Sequence, residues 1–190
     1  MAYIESVRIL AGALKGKLLR YPRARIRTTT EMVRAAIFNL IGEQIIQARV
    51  ADFFCGAGGL GIEALSRGAQ EVYFFEKSPL VFNYLKQNLA GLSGVTIIRG
   101  DGLKKQKIIK DRQFKVIIAD PPYLKGWLNR FVDSVIRNAI LAKDGIICLQ
   151  HHKKEEINLS KELFIDKQKK HGETIITILR RKNEDSRLSG

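Results

Sequence analysis

The sequence has few cysteines, no long apolar stretch and no hydrophobic segment at its N-terminus. Its 190 residues include two cysteines, Cys55 and Cys148, too few for a disulfide scaffold or a structural zinc site. No uncharged apolar run approaches the roughly 20 residues that a membrane-spanning helix requires, and no signal peptide is recognisable. The composition, 45% hydrophobic and 27% charged, is that of a globular protein and excludes a disordered one. We therefore expect a soluble protein of a reducing compartment, most simply the cytoplasm, with one domain and a small appendage.

Acidic residues are scarce relative to basic ones. Lys and Arg total 33 against 19 Asp and Glu, which gives a formal net charge of +14. Half of this net charge, +7, falls in residues 8–34, where eight basic residues accompany a single acid, Glu31. The eight are Arg8, Lys15, Lys17, Arg20, Arg23, Arg25, Arg27 and Arg34. Because such a field attracts polyanions, we expect these side chains to contact nucleic acid; a solvated basic surface that serves solubility is the alternative.

The order of predicted elements is typical of an α/β protein. Short apolar runs alternate with segments that can form helices. The predicted strands are Val50–Phe54, Val72–Phe75, Val95–Ile98, Val116–Ala119 and Ile146–Leu149, and the predicted helices are Leu60–Arg67, Pro79–Leu89 and Trp127–Ile140. Ser78 and Pro79 have the residue types of an N-cap and a first helical position. The alternation implies a mainly parallel sheet covered by helices on both faces.

Smaller pieces are predicted at the two ends of the chain. Candidate hairpins are Val7–Ala11 with Lys17–Leu19, and Leu163–Ile165 with Thr174–Leu179, the latter as an antiparallel edge of the sheet. Thr28 and Glu31 have the spacing of a capping box, so a helix is expected from about Thr29 to Gly42. We therefore divide the chain into a basic extension at residues 1–42, an α/β domain at residues 43–181 and a flexible tail at residues 182–190.

The segment after the first strand of the α/β domain is rich in glycine. Within Asp52–Gly61, Gly56 and Gly58 allow a tight turn, and the helix that follows presents free N–H groups to an anionic group. With Gly61 they also satisfy G-x-G-x-x-G, and Glu76 ends the next strand, where an acid can accept hydrogen bonds from ribose hydroxyls. This pattern indicates a nucleoside-containing cofactor; a structural turn beside a surface glutamate is the alternative.

Two further acids follow the next predicted strands. Asp101 is placed to accept a hydrogen bond from an adenine amine, and Asp120 begins the run Asp120-Pro121-Pro122-Tyr123. The prolines remove two N–H donors and hold an extended turn, so that a carboxylate and a carbonyl can accept both hydrogens of a planar NH₂ group. Tyr123 offers a face on which a base can stack. The four acids expected along one edge of the sheet are Asp52, Glu76, Asp101 and Asp120.

Together these residues resemble a Rossmann-type S-adenosylmethionine-dependent methyltransferase that acts on an exocyclic amine. The wider pattern, from about Val7 to Arg180, is similar to the RsmD family of bacterial 16S rRNA guanine-N2 methyltransferases. The matching motifs are VRILAG at 7–12, KGKL at 15–18, RTTT at 27–30, VR at 33–34, IFN at 37–39 and LGIEALSRGA at 60–69. The resemblance implies a seven-stranded, mainly parallel Rossmann-like sheet with a small N-terminal hairpin and helix. It also implies a cytoplasmic, monomeric enzyme that acts on small-subunit rRNA or the 30S particle without a metal or a membrane.

The resemblance further implies roles for individual residues. The residues that would bind S-adenosylmethionine are Asp52, Phe54, Cys55, Gly56, Ala57, Gly58, Glu76, Lys77, Asp101 and Gly102. Within that set the loop would hold the methionine part, Glu76 the ribose and Asp101 the adenine. Asp120 and the Pro121 carbonyl would bind the target amine, with Pro122 in the same turn and Tyr123 against the base. The basic residues between Arg8 and Arg34 would grip RNA phosphates.

Some residues depart from the family pattern, and other functions fit parts of the sequence. Thr28–Arg34 lacks a proline and an arginine that the family usually has, and Gln150-His151-His152 stands where the family tends to have an acidic strand end. The Asp-Pro-Pro-Tyr turn also suits an adenine-N6 methyltransferase on DNA or RNA. The glycine pattern alone permits an NAD-dependent dehydrogenase, and the basic charge alone permits a non-catalytic RNA-binding ribosome-assembly factor.

Overall fold

The structure of the protein, a computed structural model, describes residues 5–22, 29–109 and 111–182. The strands in this part of the chain are β1 (Glu5–Arg8), β2 (Leu18–Tyr21), β3 (Arg49–Phe53), β4 (Glu71–Glu76), β5 (Val95–Arg99), β6 (Phe114–Ala119), β7 (Leu141–His152), β8 (Leu163–His171) and β9 (Thr174–Arg181). The helices are α1 (Glu31–Ile41), α2 (Gly59–Ser66), α3 (Pro79–Leu89), α4 (Gly102–Lys105) and α5 (Trp127–Arg137). Short 3₁₀ turns follow α1 and α4, at Gly42–Ile45 and Gln106–Ile109.

Seven strands form one sheet in the order β5-β4-β3-β6-β7-β9-β8. The first five of these strands pair in parallel, and β9 runs antiparallel to both β7 and β8. This confirms the predicted seven-stranded, mainly parallel sheet with an antiparallel hairpin at its edge. The chain leaves β3 toward β4 on one side and later returns to β6 on the other. The loops after β3 and β6 therefore part at a topological switch point, where open α/β sheets bind ligands.

Helices cover both faces of the sheet. On one face α1, α2 and α3 contribute Ile37, Ile62 and Leu85 to a buried cluster with strand residues. On the other face Phe131 of α5 packs edge-on against Phe53 of β3, with ring centroids 5.0 Å apart. Because helices cover both faces, the central strands β3 and β6 are almost continuously buried, and β6 is apolar at every residue except Lys115.

Two helices begin at side-chain caps. The Thr30 hydroxyl accepts a hydrogen bond from the Val33 N–H at 3.3 Å, so Thr30 is the N-cap of α1. The predicted capping box used Thr28, which lies outside the described residues, and the predicted start at about Thr29 precedes the observed start at Glu31 by two residues. For α3 the Ser78 hydroxyl accepts from the Val81 N–H, and Pro79 is the first helical residue, as predicted.

The hairpin β1–β2 is antiparallel, as predicted, and it packs on the α/β domain. Ile9 and Leu19 are buried in the same cluster as α1, α2 and α3. A buried amide on α3 adds polar contacts: Asn88 exchanges two hydrogen bonds with the backbone of Arg20 and donates a third to the Ala57 carbonyl at 2.9 Å. The hairpin is thus fastened to the glycine-rich loop by one side chain.

A buried charge cluster also joins the hairpin to the domain. Glu63 on α2 is 0% exposed, and its carboxylate accepts hydrogen bonds from the N–H groups of Leu10 and Ala11 at 2.8 and 3.1 Å. The same carboxylate lies 2.8 Å from Nε of Arg67 and 3.7 Å from Nε of Arg34. Burial of the Glu63 charge is therefore compensated by two cations and two backbone donors.

Several elements differ in extent from the sequence-based prediction. β7 begins at Leu141 although the exposed Lys143 and Asp144 interrupt its apolar pattern, because Leu141 before them and Ile146 after them both pair with β6. β8 runs on to His171 because an edge strand tolerates exposed lysines. The short helix α4 was not predicted, and the helix predicted to end at Ile140 ends at Arg137.

Within residues 5–22, 29–109 and 111–182, no helix has the length and apolarity to cross a membrane. The same residues contain no group of three or more His, Cys, Asp or Glu side chains arranged to hold a metal ion. Of the predicted tail, the Lys182 N–H donates to the Glu162 carbonyl at 2.8 Å, and residues 183–190 lie outside the described part.

Candidate active site

A cleft of about 880 Å³ opens at the carboxyl ends of β3, β4, β5 and β6. Its volume is within the range usual for small-molecule and cofactor sites. The predicted site residues on its walls are Phe54, Cys55, Gly56, Glu76, Lys77, Asp101, Gly102, Asp120, Pro121, Pro122 and Tyr123. The fold therefore brings seven of the ten predicted cofactor residues and the Asp-Pro-Pro-Tyr turn to the same cavity.

The glycine-rich loop turns through backbone conformations that favour glycine. Gly56 has a φ of 58° and Gly58 a φ of 92°, where a side chain would be strained. A Cβ at Gly58 would also lie 2.8 Å from a methyl group of Leu85, so the loop is pressed against α3. Gly58 is the N-cap of α2, and the first turn of that helix, at Gly59 and Leu60, lines the cleft. The free N–H groups of the helix start are thus near the cavity, as the motif predicts.

Asp52 lies beneath this loop and not on the cleft wall. It is 1% exposed, and its Oδ2 accepts a hydrogen bond from the Gly61 N–H at 2.8 Å. Burial raises the pKa of Asp52 to about 8, with smaller contributions of the same sign from Asp120 and Glu76. In the structure Asp52 therefore stabilises the turn from the interior. The expected direct contact with the cofactor is corrected, because the Asp52 side chain is not accessible from the cleft. Ala57 and Gly58 are likewise buried behind the wall.

Glu76 occupies the end of β4 at the lip of the cleft. Its two carboxylate oxygens accept hydrogen bonds from the backbone N–H groups of Gly56 at 3.0 Å and Ser78 at 2.6 Å. These bonds fix the carboxylate between the glycine-rich loop and the start of α3. Burial raises the pKa of Glu76, although the backbone donors oppose that shift. Each oxygen has a second lone pair, so the carboxylate retains capacity to accept from a ligand hydroxyl.

Asp101 follows β5 and is the N-cap of α4. Its Oδ1 accepts a hydrogen bond from the Leu103 N–H at 3.0 Å, which orients the carboxylate at the cleft. The neighbouring Gly102 is buried, and a Cβ there would lie 2.9 Å from the Phe53 ring. The chain thus passes close to the sheet at this point. Of the four strands that border the cleft, β5 before Asp101 and β6 before the Asp-Pro-Pro-Tyr turn are the two outer ones, so these two groups lie on opposite sides of the cleft.

Asp120 and Tyr123 belong to one hydrogen-bonded group. The Gln150 amide nitrogen lies 3.1 Å from Oδ2 of Asp120 and 3.2 Å from the Tyr123 hydroxyl. The Tyr123 hydroxyl is also 3.2 Å from the Thr174 hydroxyl at the start of β9. Glu155 holds the far end of the turn by accepting from the Leu124 N–H at 2.9 Å. The turn is therefore fixed from the β7–β9 side of the sheet.

Residues that were not predicted as site residues also contribute, among them Tyr21, which lines the cleft, and Gln150, which contacts Asp120 and Tyr123 from behind it. Gln150 was noted only as a departure from the family pattern; its signal was a polar residue at the carboxyl end of an apolar strand. Tyr21, which lines the cleft, lies so close to α2 that a Cβ at Gly59 would be 2.6 Å from its hydroxyl. Burial raises the pKa of Tyr21 to about 12. The available signal in the sequence was the two-residue spacing of Leu19 and Tyr21 around Arg20, which places both apolar side chains on the same face of a strand.

The predicted RNA-contacting residues divide into three groups. Arg8, Lys15 and Arg20 are exposed and Lys17 is half-buried, so these side chains are accessible on the hairpin. Arg34 is 1% exposed, because its guanidinium donates to the Arg8 carbonyl at 2.5 Å and lies beside Glu63. The expected contact between Arg34 and a phosphate is therefore corrected to an internal ion pair. The remaining three, Arg23, Arg25 and Arg27, lie outside the described residues.

The cleft has the donors and acceptors that a nucleoside with a charged amino-acid tail requires. Glu76 and Asp101 present carboxylate oxygens for hydroxyl and amine groups, and the glycine-rich loop brings backbone close to the cavity. The apolar side chains of Phe54, Phe75 and Leu80 provide walls for a flat base. These residues fit S-adenosylmethionine in chemistry and in the volume available.

Comparisons with known proteins match nearly the whole chain. Residues 7–180 match the family described as Conserved hypothetical protein 95. Ribosomal RNA small subunit methyltransferase D of Escherichia coli (strain K12) is 31% identical over 146 residues, 76% of this chain and 74% of that protein. The protein of the same name from Buchnera aphidicola subsp. Acyrthosiphon pisum (strain APS) is 30% identical over 168 residues, 87% of this chain and 88% of that protein.

Solved structures agree with the sequence matches. The fold is similar to that of yhhF from Escherichia coli, with a TM-score of 0.86 and 25% identity over 94% of this chain and 99% of that chain. HI0767 from Haemophilus influenzae gives a TM-score of 0.80 and 27% identity over 94% of this chain and 100% of that chain. Since the family match includes Glu76, Asp101 and Asp120, the similarity extends across the cleft.

Proposed function

The chain belongs to the RsmD family, and from that premise we propose that it transfers a methyl group from S-adenosylmethionine to the N2 amine of a guanine in small-subunit rRNA. One observation carries the proposal: the carboxylates suited to a nucleoside cofactor and the Asp120–Tyr123 turn line the same cleft. A dehydrogenase would have no use for a rigid, acceptor-rich turn at that place. The methyltransferase names of the relatives also favour this function over a non-catalytic assembly factor.

We propose that the cofactor is held by residues of three successive loops. The loop Phe54–Gly56 would contact the methionine part, Glu76 would accept from the ribose hydroxyls, and Asp101 would accept from the adenine amine. When bound, S-adenosylmethionine supplies a methyl group on a positively charged sulfur, which leaves as a neutral thioether. Because the leaving group is already activated, the protein's task is to align the amine and to stabilise the charge that develops on it.

The target amine would be held by acceptors on the turn. The Asp120 carboxylate and the Pro121 carbonyl would accept one N–H each, which directs the nitrogen lone pair into the cleft. Positive charge that develops on the nitrogen is then stabilised by Asp120, the nearest carboxylate on the turn. Tyr123 is half-buried and would stack on the base, which has to leave its helix to enter the cleft. The accessible cations of the hairpin, Arg8, Lys15, Lys17 and Arg20, would hold the RNA backbone.

A pair of matched variants tests these assignments. We expect Asp120→Ala to lower the rate of methyl transfer at least 100-fold and to change the affinity for S-adenosylmethionine by less than threefold. Asp101→Ala should instead weaken cofactor binding at least tenfold. Methyl transfer is measured on 30S particles from cells that lack the protein, and cofactor affinity by titration calorimetry. Equal loss of both properties in Asp120→Ala would show that the role given to Asp120 is wrong.

The identity of the acceptor needs a separate measurement. Nucleoside analysis by mass spectrometry of rRNA from the same reaction is expected to detect N2-methylguanosine. N6-methyladenosine in its place would support the adenine-specific alternative, since the turn fits either amine. For the dehydrogenase alternative, a titration with NADH followed by fluorescence is expected to show no binding.

A further inference from the structure

Gln150 is a buried polar residue at the carboxyl end of β7, and its amide contacts both side chains of the proposed substrate turn. It is 3% exposed, and its nitrogen lies 3.1 Å from Oδ2 of Asp120 and 3.2 Å from the Tyr123 hydroxyl. Its oxygen accepts a longer hydrogen bond, 3.4 Å, from the Thr29 hydroxyl just before α1. The three contacts join β7, the turn after β6 and the segment that leads into α1.

The direction of each hydrogen bond follows from the Asp120 carboxylate. An ionised carboxylate can only accept, so the NH₂ group of Gln150 must face it and the amide oxygen must face Thr29. The second amide hydrogen is directed to the Tyr123 hydroxyl, which is thereby an acceptor toward Gln150. The Tyr123 proton is then available for the Thr174 hydroxyl, 3.2 Å away. One amide therefore donates to both Asp120 and Tyr123.

We propose that Gln150 is a positioning residue for the reaction: its NH₂ group fixes the orientation of the Asp120 carboxylate and of the Tyr123 ring relative to each other. This inference rests on the proposed function, in which Asp120 accepts from the target amine and Tyr123 stacks on the base. A carboxylate on a single Cβ rotates easily about its terminal torsion. Anchoring one oxygen restricts that rotation, and alignment within a fraction of an ångström is what accelerates a transfer between bound partners.

Gln150→Leu removes both donors at nearly constant volume. We expect kcat for methyl transfer to fall at least tenfold, whereas KM for the 30S particle and the affinity for S-adenosylmethionine change by less than threefold. Gln150→His, which retains a ring N–H donor, should recover part of the activity that Gln150→Leu loses.

A matched control separates positioning from a general loss of stability. Gln106 is also a fully buried glutamine; it accepts from the Ser134 hydroxyl at 2.8 Å and from the Asn138 amide at 3.1 Å, on the opposite face of the sheet from α1. Gln106→Leu should lower the melting temperature as Gln150→Leu does but leave kcat within twofold of the wild type. The inference is overturned if both variants lower kcat equally, or if Gln150→Leu leaves kcat within twofold.

A crystal structure of Gln150→Leu supplies a readout that does not depend on activity. We expect the Asp120 carboxylate and the Tyr123 ring to occupy new or multiple rotamers. A single, unchanged rotamer for both would overturn the inference even if the wild-type protein proved inactive on rRNA. Conversely, an inactive wild type together with displaced Asp120 and Tyr123 in the variant would reject the proposed function and retain the positioning role of Gln150.

Discussion

Replacement of Glu63 on α2 by glutamine is predicted to destabilise the fold strongly, although the two side chains have nearly the same shape. Both carboxylate oxygens of Glu63 are used twice: one accepts from Leu10 and lies near Arg34, the other accepts from Ala11 and Arg67. A glutamine can present only one oxygen. Whichever way its amide is turned, the NH₂ group meets a backbone N–H and a guanidinium where an acceptor is required.

The size of the effect follows from burial. Glu63 is 0% and Arg34 1% exposed, so neutralising Glu63 leaves Arg34 as a charge that water does not reach. Breaking a buried pair by removing one partner costs about 3–5 kcal/mol. For a chain of this length such a loss lowers the melting temperature by roughly 6–20 °C. Urea unfolding followed by circular dichroism should show a lower midpoint with an unchanged m value.

A surface pair provides the control. Glu71 pairs with Arg49 between neighbouring strands, but their side chains are 26% and 39% exposed. Glu71→Gln is therefore expected to cost at most about 1 kcal/mol. If Glu63→Gln and Glu71→Gln lower the free energy of unfolding by the same amount, the buried cluster does not contribute as its geometry indicates. A Glu63→Met, Arg34→Met double variant should be less destabilised than the sum of its two single variants.

Three further predictions concern proton, cofactor and RNA binding. Asp52 has a pKa raised to about 8, so the folded state retains a proton that the unfolded state loses near pH 4; stability from this group is present at low pH and lost as pH rises to about 8. The unfolding free energy of the wild type minus that of Asp52→Asn should therefore fall by about 1.4 kcal/mol per pH unit between pH 5 and 7, and a constant difference would contradict the burial argument. S-adenosylmethionine at 100 times its Kd should stabilise the protein by about 2.7 kcal/mol in thermal unfolding, which a protein that only binds RNA would not show. Replacing Lys15 and Lys17 with glutamine should weaken RNA binding and reduce the slope of log K against log salt concentration by roughly 1.5. The control is the pair Lys104→Gln and Lys107→Gln, exposed lysines outside the hairpin, which should leave the slope unchanged.

The central sheet could be predicted from the sequence because its signal is local. Apolar runs such as Val116–Ala119 are buried on both faces and stand out from their surroundings, and Ser78-Pro79 marks a helix start unambiguously. The weaker predictions concern polar segments. The exposed lysines of β8 carry no apolar alternation, and the start of β7 depends on the pairing of Leu141 with Phe114 of β6, which no local pattern contains.

The candidate site was predictable to the level of which loops meet, but not to the level of which way a side chain points. Asp52 and Glu76 lie at or near the ends of neighbouring strands and give the same sequence signal. Asp52 is turned inward by the Gly61 N–H, and Glu76 is held at the cleft by Gly56 and Ser78. Likewise Arg34 belongs to a basic run in sequence, yet its position on the inner side of α1 pairs it with Glu63. Such choices depend on tertiary contacts that no local pattern contains.

The contacts of Asn88 bear on how the basic hairpin can be studied. The Asn88 amide joins the Arg20 backbone to the Ala57 carbonyl, and Ile9 and Leu19 belong to the buried core. Deletion of residues 1–22 would therefore expose apolar surface of the core and remove contacts that hold the glycine-rich loop at the cleft. Loss of activity in such a truncated protein could then result from a distorted cleft as readily as from weaker RNA binding. Charge reversal at individual exposed cations of the hairpin tests RNA binding without removing these core contacts.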